Sequence, residues 1–294
     1  MTESKAIKIS KRKKLKQNIA FWIFRAISLS VIIILGIILY FIFSRGISAI
    51  NWDFISKMPE EGMTKGGIYP AIIGTLYLVL GSMLFAFPIG VLSGIYINEY
   101  ARDGFLKRFI KLMTNNLAGI PSIVFGLFGM AFFVNGLEFG DSILAGSLTL
   151  GLLALPVVIR TTEEALKAVD DSFRHGSLAL GASKWLTTRR VVLPIAFPNI
   201  ITGLILSIGR VSGETAPILF TVAAYFLPKL PTSVFDQTMA LPYHLYVIST
   251  SGTNIEESRP VAYGTALILV LIVLIMNLLA NALRRYFGNK VKMN

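Results

Sequence analysis

An arginine and a glutamate lie inside one of the most apolar stretches of the chain. Arg210 and Glu214 are four residues apart in segment 191–226, so on a helix they would share a face and lie close enough to pair. A charge within a membrane-spanning helix is costly unless it is paired or hydrated, which makes both residues candidates for function. A guanidinium group matches the oxygens of an oxyanion in bidentate geometry and stays charged at any relevant pH.

Two interpretations of this pair remain open. In the first, Arg210 lines an anion path and Glu214 competes with the anion, so that binding stays weak enough for release. In the second, the two charges only neutralise each other and permit insertion into the membrane. Gly209 and Gly213 flank the pair and predict the close approach of a neighbouring helix.

Arg160, at the end of another apolar stretch, is a third charged candidate. It is either a second contact for the anion or a cationic anchor at the cytoplasmic surface. The chain has no cysteine, only two histidines and no P-loop pattern for nucleotide binding. We therefore expect no catalytic residue, no metal site and no cofactor in this chain, and any ATP and Mg to be used by a partner.

A polar segment, 161–190, separates these two charged positions. Asp170, Asp171 and Ser172 are typical of a helix start and predict a short helix over 173–180. Gly181 follows as a stop, because glycine adopts a positive φ at little cost. Ser183 then predicts the cap of a second short helix over 184–192, ending before a proline. An ordinary amphipathic loop at the membrane surface is the alternative.

The rest of the chain must hold these residues in a bilayer. Of 294 residues, 54% are hydrophobic and 15% charged, with a mean hydropathy of +0.68, whereas soluble domains carry about 25% charged residues. Stretches of roughly 20 apolar residues predict membrane-spanning helices. The sequence thus predicts an all-α, polytopic membrane protein with six transmembrane helices, at 19–44, 71–100, 112–134, 143–159, within 191–226, and at 261–283.

These helices define the expected organisation. Residues 1–18 form a basic tail, expected to be unstructured and to lie against anionic headgroups. The first helix stands apart from a core over 70–286, which contains five helices and the polar segment as a coupling loop over 161–194. A second short tail covers 287–294. We expect the loop 227–260 to face outside, with His244 as an ordinary loop residue.

The distribution of Lys and Arg predicts the orientation. With the N-terminus inside, 21 of the 28 Lys and Arg lie in the cytoplasmic segments and 5 in the outer ones. Both termini are then cytoplasmic, in the cell membrane. This asymmetry accounts for the net charge of +12, so the charge does not require a nucleic-acid partner.

The polar segment resembles the "EAA" loop of ABC importer permeases, in which a Glu-Ala-Ala triplet precedes a glycine and a later Leu-Pro. Here the glycine is Gly181 and the Leu-Pro is 193–194, while residues 175–177 replace the triplet. The resemblance implies that this loop docks on a cytoplasmic ATPase, with Arg174 or Lys184 supplying charge. The implied docking residues are Arg174, His175, Gly176, Ser177, Leu178, Gly181, Ala182, Ser183, Lys184, Trp185 and Pro194.

Longer matches are similar to the PstA family, the permeases of phosphate ABC importers. They cover the motifs at 97–101, 116–127, 155–163 and 209–221, within a resemblance that extends from about residue 74 to the C-terminus. The resemblance implies the type I importer (MetI-like) fold and a role for Arg210 and Arg160 in phosphate transport. It also implies a PstC-like second permease, a PstB-like ATPase dimer and a PstS-like external phosphate-binding protein. A permease for another oxyanion and an intramembrane enzyme are the alternatives.

Overall fold

The computed structural model describes residues 2–251 and 255–293, and most of them are helical. In the first half of the chain the helices are α1 (Thr2–Gly46), α2 (Trp52–Ser56), α3 (Tyr69–Ile95), α4 (Phe105–Ala118) and α5 (Ser122–Gly129). In the second half they are α6 (Ile143–Lys167), α7 (Asp171–Ala179), α8 (Lys184–Thr187), α9 (Leu193–Val211), α10 (Ala216–Leu219), α11 (Leu241–Thr250) and α12 (Ile255–Met293).

Short irregular elements complete this set. Strands β1 (Pro59–Glu60) and β2 (Lys65–Gly66) pair antiparallel in the first outer segment. Single 3₁₀ turns cover Ile47–Ala49 and Glu61–Met63. Three π-helical turns extend or join helices, at Tyr96–Tyr100, Met130–Gly136 and Thr188–Val192.

Five helices of the described residues are long and apolar enough to cross a membrane, and a sixth crossing exists if a bent pair is counted as one. The pair is α4 with the helix over residues 122–136, and the bend between them is 102°. The prediction of one straight third helix over 112–134 is therefore wrong. Pro121 disfavours helical backbone at the residue before it, which separates α4 from the crossing that starts at Ser122.

The centre of the bundle is the packing of α3 on α6, the most extensive helix contact in the structure. Small residues bring these backbones together. A Cβ atom added at Gly94 would lie 2.7 Å from the Thr162 side chain, and one added at Gly90 would lie 2.6 Å from Val158. Helix α9 packs on the other side of α6 and contacts α12. Close approach through small residues is the usual way for helices to pack in a membrane.

Helix α1 stands at the edge of this bundle. Its apolar side chains are exposed, and near its C-terminal end it meets α12, where Gly46 lies against Tyr263 and Leu267. Arg45 lies over the rings of Phe41 and Tyr263. Because α1 begins at Thr2, the expectation of an unstructured N-terminal tail is wrong for the described residues of that segment.

Two further boundaries differ from prediction. Helix α6 continues to Lys167, beyond the predicted end at 159. The short helix expected to end before Pro194 instead runs through it, and Lys184–Val211 is one continuous helical crossing. A proline inside a helix clashes with the carbonyl group four residues earlier. The π turn Thr188–Val192 lies immediately before Pro194, and its wider backbone spacing accommodates the ring.

Candidate functional site

The predicted pair of Arg210 and Glu214 exists, but it is not built on one helix face. Helix α9 ends at Val211, and Glu214 lies beyond that end in a tight turn. The Nε atom of Arg210 is 3.8 Å from Oε1 of Glu214. The Arg210 side chain is 35% exposed and the Glu214 side chain 19%. This is a loose ion pair with room on the arginine for another acceptor.

The turn after α9 packs against the third crossing, which indicates that it lies at membrane depth. Gly126, in the third crossing, packs against the backbone of Ala216 and Pro217 just after the turn. The chain then runs to the N-terminal end of α6, where the amide of Ser142 donates to the carbonyl of Thr221 at 2.9 Å. The fifth crossing is therefore broken at Ser212–Thr215 instead of continuing as a helix towards 226. Irregular backbone at this depth is tolerated where it is buried in protein or lines an aqueous cavity.

The glycines beside the pair play unequal roles. A Cβ atom on Gly209 would lie 3.8 Å from the Asn277 side chain, an ordinary contact with α12, and one on Gly213 would meet nothing within 4 Å. The prediction of a close helix approach is therefore wrong for Gly213. Asn277 was not predicted as a functional residue, although a polar side chain within the last apolar run of the sequence is itself a sign of function. Its Oδ1 atom is buried without a hydrogen-bond partner among the described residues.

Arg160 lies in a separate polar pocket towards the C-terminal end of α6. The pocket has a volume of about 210 Å³ and also contains Lys111, Glu163, Glu164 and Lys167. Nε of Arg160 is 3.1 Å from Oε1 of Glu164, and both side chains are largely exposed. Glu163 pairs with Lys111 of α4 and with Lys167, the latter at 2.6 Å. Each of the two candidate arginines thus has its own carboxylate.

The two arginines lie at different depths. Gly203 of α9 lies directly against Thr161, the neighbour of Arg160. Arg210 is seven residues further along α9, a rise of roughly 10 Å. The two arginines are therefore at different positions along two contacting helices and do not form one cluster.

The predicted glycine turn and the two predicted caps are confirmed, although the second helix continues past its predicted end. The side chain of Asp170 accepts from the amide of Ser172 at 2.8 Å and caps α7. Gly181 has a φ of +84°, the left-handed conformation that favours glycine. Ser183 accepts from the amide of Leu186 at 3.3 Å and caps α8. We use the name elbow for α7, the turn at 180–183 and α8.

The solvent-exposed surface of the elbow is apolar. Leu180 is 90% exposed and Trp185 is 59% exposed. The exposed side chains that form this apolar surface are Phe173, Leu178, Leu180, Trp185 and Leu186. His175 and Gly176, which replace the first two residues of the triplet, are also exposed. Ser177 instead faces inwards, where its hydroxyl group lies 2.9 Å from that of Thr187 and joins the two halves of the elbow.

The role of Arg174, the alternative to Lys184 in supplying charge to a docked partner, stays a prediction. The Arg174 side chain turns away from solvent and is 16% exposed. It pairs with Glu99 at 2.8 Å and with Asp171 at 3.0 Å, and it donates to the carbonyls of Leu166 and Val169, each at 2.7 Å. The hydrogen bond to Glu99 raises the pKa of Arg174 further above its ordinary value. Lys184 is exposed and remains available to a partner.

His244 is not an ordinary loop residue. It lies in α11 and is 2% exposed, and neither of its ring nitrogens has a hydrogen-bond partner among the described residues. Burial lowers its pKa to about 4, so the ring is neutral at neutral pH. Among the described residues, no group of three or more His, Cys, Asp or Glu side chains could hold a metal ion.

The arrangement agrees with the comparison with protein families. Residues 86–293 match the family described as "Binding-protein-dependent transport system inner membrane component". The chain is 39% identical over 284 residues to the phosphate transport system permease protein PstA of Mycobacterium leprae, covering 94% of this chain and 91% of the relative. It is 35% identical over 274 residues to the probable ABC transporter permease protein YqgI of Bacillus subtilis, covering 89% and 92% respectively.

Solved structures support the same fold. A chain of a bacterial alginate ABC transporter, solved with an alginate-bound periplasmic protein, matches with a TM-score of 0.63 and 18% identity, covering 91% of this chain and 95% of that one. A chain of the MetNI methionine ABC transporter, in an inward-facing conformation, matches with a TM-score of 0.58 and 17% identity, covering 75% and 97%. The alternative of an intramembrane enzyme is set aside, because the homologues and the fold are those of transport subunits. The chain belongs to the family of inner-membrane components of binding-protein-dependent ABC importers, whose permeases have the MetI-like fold and work with an ATPase and a binding protein.

Proposed function

We propose that this chain is a permease subunit of an ATP-driven importer of inorganic phosphate. The observation that carries the proposal is the break in the fifth crossing, which sets the partly exposed Arg210 guanidinium at membrane depth beside a loosely held Glu214. A planar guanidinium group suits a tetrahedral oxyanion. The names of several relatives, including PstA of Mycobacterium leprae at 39% identity, favour phosphate over another oxyanion.

The pair supports a weak, reversible contact with the anion. At 3.8 Å, the carboxylate of Glu214 neutralises the arginine when no phosphate is present without occupying all of its donors. Phosphate displaces Glu214 from Arg210, and the returning carboxylate then favours release. Arg160, at the cytoplasmic end of α6, is the second cation that the anion meets, in the pocket it shares with Lys111 and Lys167.

The elbow supplies the connection to ATP hydrolysis. Its exposed apolar side chains, with Lys184 beside them, form a surface suited to a cleft on a cytoplasmic ATPase dimer of the PstB type. That dimer binds ATP and Mg, and this chain binds no cofactor. A PstC-like permease forms the other half of the pathway, and a PstS-like protein delivers phosphate at the outer face. Both termini of the chain are cytoplasmic.

Uptake of labelled phosphate by proteoliposomes tests the proposal. The reconstituted complex would carry wild type, Arg210→Gln or Arg210→Gln/Glu214→Gln, with ATP hydrolysis recorded in parallel. We expect both variants to lose transport while they keep assembly and receptor-stimulated hydrolysis. Normal transport by the double variant would make the pair structural, and faster uptake of sulfate than of phosphate by wild type would favour a different oxyanion.

A further inference from the structure

The elbow rests on a part of the chain that is remote from it in sequence. Helix α3 ends in the π turn Tyr96–Tyr100, and this turn contacts both halves of the elbow. Glu99 pairs with Arg174 of α7, and Tyr100 lies under Lys184 of α8. A π turn within or at the end of a helix frequently marks a functional position.

The contact between Glu99 and Arg174 is the stronger of the two. The side chains are 7% and 16% exposed, so water screens the pair weakly. Two guanidinium nitrogens face the carboxylate, with Nη2 at 2.8 Å from Oε1 and Nε at 3.4 Å from Oε2. Asn98 donates to Oε1 of the same carboxylate at 2.8 Å, which fixes its orientation. This fork-shaped geometry resists both sliding and rotation.

Arg174 also binds the end of α6. Its nitrogens donate to the carbonyls of Leu166 and Val169, at the C-terminal end of that helix where carbonyl groups lack helical partners. A positive charge is favourable at this end of a helix. The guanidinium group of Arg174 therefore joins three elements, α3, α6 and α7. Four of its hydrogen bonds go to Glu99, Leu166 and Val169, which do not belong to the elbow.

The second contact is weaker and lies on the other side of the glycine turn. The Nζ atom of Lys184 is 5.5 Å from the centre of the Tyr100 ring, within the range of a cation–π interaction. The hydroxyl groups of Ser177 and Thr187 hold the two halves of the elbow together at 2.9 Å. The elbow is thus a braced unit seated on the end of α3.

We propose that Glu99 and Arg174 are positioning residues for transport, which transmit the displacement of the elbow to α3. The inference rests on the proposed function and deepens it. The elbow adjoins α6 and α9 in sequence, so a motor that pulls it would be expected to act through those two helices. The contact with Glu99 adds α3, and because α3 has its most extensive contact with α6, both helices move as one body with the elbow.

The direct test is the number of phosphate ions transported per ATP hydrolysed in proteoliposomes with the full complex. Glu99→Gln keeps the shape of the side chain but removes its charge. We expect this ratio to fall about fivefold or more, the lower end of the range for coupled sites. Asp103→Asn is the matched control, because Asp103 pairs with Lys107 on the same side of the membrane but is 94% exposed. We expect the control to keep the wild-type ratio.

A second measurement separates transmission from general damage. Because the chain has no cysteine, spin labels can be placed at Ser172→Cys in α7 and Leu92→Cys in α3, both exposed. We expect a narrow distribution of distances between the labels in the wild-type and Asp103→Asn backgrounds and a broad one with Glu99→Gln. Arg174→Met should also lower the number of phosphate ions transported per ATP hydrolysed. Arg174→Lys, which keeps the charge but loses the fork-shaped hydrogen bonding, should restore part of that ratio. If Glu99→Gln does not assemble, Arg174→Lys replaces it.

The outcomes are distinct. A wild-type ratio in Glu99→Gln, or a lowered ratio with an unchanged distance distribution, overturns the inference and leaves the proposed function intact. If wild type assembles with no ATPase or moves no phosphate, the proposed function fails and the inference fails with it. A lowered ratio with a broadened distribution and preserved assembly supports transmission through Glu99 and Arg174.

Discussion

At the scale of single residues, the offset of Glu214 beyond the end of α9 matters most. A carboxylate on the same helix face would hold Arg210 closely, whereas the turn leaves 3.8 Å between the two groups. A partly exposed pair of this kind contributes about 1 kcal/mol, which corresponds to about fivefold in binding. The loose geometry therefore suits a site that must bind and release an anion.

Glu214→Gln should make that site bind phosphate more tightly. Removing the competing charge is expected to lower both KM and kcat for uptake, each by about fivefold, because the anion is then released more slowly. Initial rates of uptake against phosphate concentration measure both constants. Glu164→Gln, at the exposed pair with Arg160, provides the comparison at the other arginine. An unchanged KM in Glu214→Gln would show that Glu214 does not compete with phosphate.

His244 gives the outer part of the protein a dependence on pH. Its pKa is about 4 in the folded protein because it is buried, and 6.5 when it is exposed on unfolding. Between these values the unfolded chain binds the extra proton, so stability is full above pH 6.5 and falls as the pH is lowered towards 4. The loss is about 1.4 kcal/mol for each pH unit.

Thermal unfolding followed by fluorescence in nanodiscs measures this effect. We expect the midpoint for wild type to fall between pH 7 and pH 4.5, and the midpoint for His244→Phe to fall less. His175→Gln is the matched control, since His175 is exposed and its loss should leave the wild-type slope. Parallel curves for wild type and His244→Phe would contradict the assignment.

At the scale of elements, the glycine turn fixes the shape of the elbow. Gly181 has a φ of +84° and open space around it, so a side chain there meets backbone strain but no steric clash with a neighbour. The cost of the left-handed conformation for an ordinary residue is roughly 1–2 kcal/mol. The turn sets the angle between α7 and α8 and hence the apolar surface offered to a partner.

Gly181→Ala should therefore weaken binding of the ATPase, by about twofold to fivefold if half of this strain distorts the elbow. Gly140→Ala is the matched control, because Gly140 also has a positive φ, +65°, with nothing within 4 Å of an added Cβ atom, and it lies near the opposite end of α6 from the elbow. It should cost similar backbone strain and leave binding of the ATPase unchanged. Titration of ATPase onto the permease in nanodiscs measures both, and equal affinities for the two variants would contradict the prediction.

At the scale of the whole molecule, the arrangement of crossings determines which segments face each side. Helix α6 runs from an end near Thr221 and Val234 to an end at the elbow, so these two groups of residues lie on opposite sides of the membrane. The excess of Lys and Arg predicts that the elbow lies inside. Labelling of single introduced cysteines tests this orientation, since the chain has none of its own.

An impermeant maleimide added to intact cells should label Val234→Cys and leave Ser172→Cys unlabelled. Both positions are exposed, so accessibility within the chain does not separate them. Permeabilisation should then allow labelling of Ser172→Cys to the same extent. The reverse pattern would invert the protein and place the elbow outside, where no ATPase could dock.

By itself the sequence determined the class of protein, most of the crossings and the glycine turn of the elbow, and it predicts the orientation. These depend on local properties: runs of apolar residues long enough to span a bilayer, the placement of Lys and Arg, and the capping of short helices around Gly181. The pairing of Arg210 with Glu214 was also foreseen, since the residues are close in sequence. The resemblance of the chain to known permeases then indicates phosphate transport. The chemistry of the residues alone leaves open which oxyanion is carried.

The tertiary structure alone decided the inward turn of Arg174 towards Glu99, the pairing of Lys111 with Glu163, and the depth of the break after Val211. Glu99 and Arg174 are 75 residues apart, and Lys111 and Glu163 are 52 apart. No local pattern specifies such partners, because they depend on how α3, α4 and α6 pack together. The right-angle bend before Ser122 has the same origin: Pro121 signals a break, but only the packing of the helices on each side sets the angle.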